Sequence, residues 1–137
     1  MANSAAHDIA LYLAASGVGT YLGASGWAIN HDGEGISPDN FVTVYNTGGQ
    51  HPETDELDLD RPTIQVRVRA VDLAEGYAKL RDIRDLLIFP QPIECDTSTF
   101  RLITITSDMG KIGNDAGNRH ILTANFDCWR EITEETT

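Results

Sequence analysis

The sequence predicts an α+β domain: a small mixed or antiparallel β-sheet, two helices packed on one of its faces, and a long C-terminal β-hairpin. Three observations carry this reading. Residues Pro62 to Ala70 alternate strictly, with Ile64, Val66, Val68 and Ala70 on one side and Gln65, Arg67 and Arg69 on the other, the period of a half-buried strand. A helix start follows at once, Asp72-Leu73-Ala74-Glu75, an acidic cap with a glutamate three residues later. The order of elements is helix, two or three strands, helix, two strands, which leaves the helices to cover one face of a single sheet. All of residues 1–137 are read as one domain, long enough for a substantial core.

Taken in order, Asn3 or Ser4 caps a first helix whose Ala5, Ile9, Tyr12 and Leu13 share a face, and Gly17 ends it. The glycines of Gly17-Val18-Gly19-Thr20-Tyr21-Leu22-Gly23 mimic a dinucleotide fingerprint only superficially. The third comes one residue late, and the segment leaves a helix instead of a strand. Trp27-Ala28-Ile29 reads as a short strand, His31 to Gly35 as a turn, and Phe41 to Tyr45 as a second strand. Asn46 to Arg61 reads as a long polar loop carrying Glu53, Asp55, Glu56, Asp58 and Asp60, and a loop of that length usually has a task.

In the helix after Asp72, Leu73, Tyr77, Leu80, Ile83 and Leu87 form the apolar stripe. Glu75 with Lys79, and Arg81 with Asp85, are spaced as ion pairs on its wet side. Phe89-Pro90-Gln91-Pro92 stops it. Thr99 to Thr106 is apolar on both sides, so it is expected inside the sheet or against a neighbouring subunit. Gly110 to Asn118 reads as a flexible connection, and Arg119 to Ile132 as the last strand, with Leu122, Ala124, Phe126 and Cys128 on one face. The sheet face away from the helices is expected to show Arg67 and Arg69 among apolar neighbours, a surface suited to association.

Ten lysines and arginines against 21 aspartates and glutamates give a net charge of −11. Such a chain repels nucleic acid, because affinity for a phosphate backbone needs cations that displace counterions. No apolar run approaches the ~20 residues of a membrane span, and Met1 to Ala15 lacks the basic start of a secretory signal. Cys95 and Cys128 lack metal or redox spacing and read as reduced thiols of a cytosolic protein, Cys128 packed in its strand.

No motif carries chemistry. Gly23-Ala24-Ser25-Gly26 misses the frame of a nucleophile elbow. His31 beside Asp32 and His51 beside Glu53 lie in turns and loops with no third partner. His7 and His120 stand far apart, so no histidine pair has metal-ligand spacing. The acidic run lacks the spacing and central glycine of an EF-hand. No catalyst, cofactor or metal is expected.

Several stretches in this order resemble the tail terminator proteins of long-tailed bacteriophages, also catalogued as phage minor capsid proteins. They are Pro62-Thr63-Ile64-Gln65-Val66-Arg67-Val68-Arg69, Gly76-Tyr77-Ala78, Leu80-Arg81-Asp82-Ile83-Arg84-Asp85-Leu86-Leu87, Gly110-Lys111-Ile112-Gly113-Asn114-Asp115 and Arg119-His120-Ile121-Leu122-Thr123-Ala124-Asn125-Phe126. The acidic loop from Glu53 to Asp60 has no counterpart in that pattern. The resemblance implies a non-enzymatic virion protein, assembled in the host cytoplasm and placed at the head-proximal end of the tail. It implies a homo-hexameric ring that docks on the tail-tube protein, stops polymerisation and offers a platform to a head-completion protein. DNA would pass the pore without specific binding.

A ring needs two different patches that meet head to tail. The face of Arg67 and Arg69 and the loop of Glu53, Asp55, Glu56, Asp58 and Asp60 are one candidate pair, and Lys111, Asn114 and Asp115 complete the candidate contact set. The alternatives are a head-completion or neck connector protein, and a small ligand-binding or enzymatic α+β domain.

Overall fold

The computed structural model of the protein describes residues 3–50, 59–89 and 91–133. Among these, two helices, α1 (Ala5–Ala15) and α2 (Leu73–Ile88), pack on one seven-stranded sheet. Its strands are β1 (Thr20–Tyr21), β2 (Ala28–His31), β3 (Phe41–Gln50), β4 (Leu59–Ala70), β5 (Ile93–Glu94), β6 (Ser98–Asn114) and β7 (His120–Ile132). Their spatial order is β1-β2-β3-β4-β7-β6-β5. The β1–β2 and β2–β3 pairs are parallel and every other pair is antiparallel. The architecture is α+β and the sheet is mixed, larger than the small sheet expected.

Both helices are built as their sequences dictate. Ser4 Oγ accepts from the His7 amide at the start of α1. At its end Gly17, at φ 85°, lets the Gly17 amide reach Ala14 O and the Val18 amide reach Leu13 O, both at 3.1 Å. That pair of bonds closes a helix with a left-handed residue. Asp72 caps α2 through the Ala74 amide, 3.1 Å away. Phe89, held extended by the proline that follows it, ends the helix. Gly76 stands mid-helix for packing reasons: a Cβ there would lie 2.9 Å from Leu122 Cδ1 and 3.1 Å from Ala70 Cβ, so the glycine lets α2 approach β4 and β7.

The core lies between helices and sheet. Leu80, Ile83 and Leu87 of α2 and Ile9 and Leu13 of α1 meet Val42, Val44, Ile64, Val66, Val68, Leu122, Ala124 and Phe126, all fully buried. α1 covers β1 to β3, and α2 covers β4, β7 and β6. One carboxylate joins this interior. Asp8 is fully buried and accepts from Thr97 Oγ1 at 2.8 Å, Ser98 Oγ at 2.5 Å and Asn3 Nδ2 at 3.0 Å.

Several boundaries differ from expectation. Residues 46–50 and 59–61 belong to strands, not to a loop. The β3 ladder persists past a shift at Asn46/Gly49 because Gly49, at φ 124°, lies where a Cβ would stand 2.3 Å from Arg61 O. β6, which has four register shifts along its length, runs on through residues 110–114, so the connection to β7 shrinks to 115–119. β6 is interior to the sheet only at its start. β5 pairs only with Thr99 and Phe100, and among the described residues 101–114 have no strand on their outer side. Lys79 does not serve Glu75; its ammonium donates to Val18 O at 2.8 Å and lies 5.0 Å above the Trp27 ring. Asp85 pairs with Arg84 at 3.2 Å, not with Arg81.

Candidate assembly interface

The face of the sheet opposite the helices was expected to be half apolar. Arg69 does stand in register between the apolar Phe41 and Ile121, while the rows beyond it are polar. Thr43, Arg67 and Thr123 form one cross-strand row; Tyr45, Gln65 and Asn125 form the next; Thr63 stands opposite Asp127. Side chains link the rows: Thr47 Oγ1 donates to Thr63 Oγ1 at 2.8 Å, and Gln65 Nε2 to Asn125 Oδ1 at 3.2 Å. Arg61 lies 3.4 Å from Asp127 and 4.4 Å above the Trp129 ring. Burial, and then the Glu34 carboxylate, raise the Tyr45 pKa.

The two arginines expected to face a neighbouring subunit are engaged within the chain. Arg69 is 2% exposed beneath residues 32–40. Its guanidinium donates to four carbonyls of that segment: Gly35 O at 2.6 Å, Pro38 O at 2.6 Å, Asp39 O at 3.0 Å and Ile36 O at 3.3 Å. Arg67 and Arg69 both lie 3.5 Å from the Glu34 carboxylate. A buried guanidinium demands this degree of satisfaction. Arg69 therefore pins a loop and has no surface to offer a second copy; Arg67 is only half buried. The signal missed in the sequence was Glu34, a carboxylate placed to meet an outward-facing arginine pair.

The other candidates separate. Glu53, Asp55, Glu56 and Asp58 lie outside the described residues, as does His51. Asp60 stands opposite Arg130 in the β4–β7 register, 3.5 Å from its Nε. Asp115 organises the β6–β7 connection. Its carboxylate accepts from the Arg119 amide at 2.9 Å, Arg119 Nε at 2.9 Å and the Gly117 amide at 3.0 Å. The Arg119 amide bond, above the other contacts, holds the Asp115 carboxyl below the usual carboxylate range, and the same ion pair raises Arg119. Asn114 Nδ2 donates to Asn118 Oδ1 at 2.9 Å. Lys111 is exposed beside Ile112, which is 64% exposed.

The groups screened for chemistry do not converge. His31 lies 3.6 Å from Asp32, but its ring stacks on His7 at 4.2 Å between centroids, with Tyr21 parallel at 6.3 Å. Burial pushes the thiols of Cys95 and Cys128 up to about 12, so both are held as thiols at neutral pH. Among the described residues no three His, Cys, Asp or Glu side chains gather into a metal-sized cluster. No described helix is long and apolar enough to cross a membrane. A groove of about 410 Å³ lies between the end of α1 and the outer flank of α2, lined by Val18, Lys79, Asp82, Asp85, Leu86 and Phe89 among others.

The fold is thus an α+β domain with one open sheet face and, among the described residues, a β6 flank that no strand covers beyond Phe100. A family model described as bacteriophage tail terminator protein matches residues 32–132, and the chain belongs to that family. It is a structural protein of the phage tail. No curated protein matches the chain. The match begins after α1, β1 and β2 and spans β3 to β7.

Proposed function

We propose that the protein caps the tail tube as a homo-hexameric ring, stops its polymerisation and presents its other side to a head-completion protein. Membership of the tail terminator family over residues 32–132 carries this reading. Two physical features support it. The open sheet face matches its half-buried arginines with carboxylates, Arg67 with Glu34 and Arg61 with Asp127, so it offers little that would hold a phosphate backbone. The net charge of −11 is multiplied in a ring, and a lumen bordered by carboxylates would let DNA pass without adhering.

The test is negative-stain microscopy and mass photometry of the purified chain, alone and with tail-tube subunits. Rings, and tubes arrested with a ring at one end, are the expected result. A chain that remains monomeric and leaves tube growth unchanged would overturn the proposal. A basic lumen in an assembled ring would overturn the account of DNA passage alone.

A further inference from the structure

Copies of a chain carrying −11 repel each other, so a stable contact between them forms where a cation is still free to meet a carboxylate. Within this chain few cations remain free. Among the described residues, every arginine except Arg81 lies within 4 Å of a carboxylate. Lys79 is occupied by the Val18 carbonyl and the Trp27 ring. Among the described residues, Arg81 and Lys111 are left without such a partner.

Lys111 stands out for its surroundings. It lies on the outer stretch of β6 that no strand flanks, and the register shift between Lys111 and Gly113 lifts Ile112 out of the ladder. A cation and an exposed branched aliphatic residue thus adjoin on the flank of the sheet that no described strand covers. The groove between α1 and α2 carries the complementary set: Val18, Leu86 and the 80% exposed Phe89 supply apolar walls, with Asp82 and Asp85 at the rim. Arg84 partly neutralises Asp85, while Asp82 has no partner among the described residues. Arg84 also reaches Asp108 of β6 at 3.6 Å, and Lys79, the cation that lines the groove, is held by Val18 O, so Asp82 is the groove carboxylate left for an incoming cation.

We propose that Lys111 and Ile112 of one copy seat in the α1–α2 groove of the next, with Ile112 against Leu86 and Phe89 and Lys111 paired with Asp82. The groove is on the helix face and the projecting pair on the β6 flank, so the contact is heterologous, the kind a ring requires. The inference rests on the ring reading above and names its subunit contact.

Charge exchange tests it. Lys111→Glu alone and Asp82→Lys alone should each reduce assembled mass to monomer at concentrations where the wild type forms rings. An equimolar mixture of the two variants should assemble again, because every junction in an alternating ring then pairs opposite charges. Ile112→Ser should raise the concentration needed for assembly at least tenfold with the charges intact. Far-UV circular dichroism identical to wild type establishes that each variant is folded. Wild-type rings that survive both single substitutions, or single losses that mixing does not repair, overturn this contact and leave the ring standing. A wild-type chain that never forms rings overturns the ring and the contact together.

Discussion

On the helix side of the sheet, Val44, Val66 and Ala124 form a cross-strand row with no exposed surface. One residue further along the same strands, on the opposite side, the row reads Tyr45, Gln65 and Asn125, all partly exposed. The backbone is shared, so the contrast lies wholly in side chains. The first side is held by removing apolar area from water, at roughly 25 cal/mol per Å². The second is held by directional bonds between neighbours and by one buried arginine under residues 32–40. The sheet is sealed from water on one side and partly exposed on the other.

The largest effect that separates the two sides comes from truncating a filled core. Phe126→Ala should cost about 3–5 kcal/mol in urea unfolding, since a fully buried ring leaves a cavity. Thr104→Ala, on the exposed stretch of β6, should stay within about 0.5 kcal/mol. If both cost the same, the two sides are not as different as their burial states.

Arg69→Ala should cost about 2–3 kcal/mol, because four loop carbonyls lose their donor together. The loss should appear as faster amide exchange across residues 32–40, with the helix side unmoved. Asp72→Ala should cost about 1 kcal/mol by thermal unfolding, through the cap of α2.

Acid should produce the smallest change. The folded pKa of Asp115 lies below its unfolded value, so its contribution is complete above the ordinary carboxylate range and is lost as pH falls through the depressed one. Amide resonances of Gly117 and Arg119 should therefore hold their positions until strongly acidic pH. Movement near pH 5 would contradict the assigned bonds.

Much of the fold was legible where period and burial agree. The alternation from Ile64 to Ala70 and the stripe of Leu80, Ile83 and Leu87 are both buried as read. Both caps were legible because a short polar side chain beside an apolar stripe has few other uses. β1 and β5 were not, since two residues show no period. The ends of β3 and β6 were hidden by glycines and polar residues that locally spell a loop, yet long-range pairing with β4 and β7 keeps them extended. Of the candidate contact set, the burial of Arg69 was hidden because its partners are carbonyls 30 to 34 residues earlier, which no local pattern displays. The groove could not be foreseen either, since it exists only where α1 ends beside α2.

The carboxylate of Asp8 reaches across 89 and 90 positions to Thr97 and Ser98, and the Asn3 amide crosses 94 to Thr97. Helix α1 therefore lacks its polar anchor until Thr97 and Ser98 have been synthesised. During synthesis its apolar stripe has only early strands to lean on, and long-range closure of this kind slows folding. A nascent chain halted near residue 90 would be a helix still waiting for its dock.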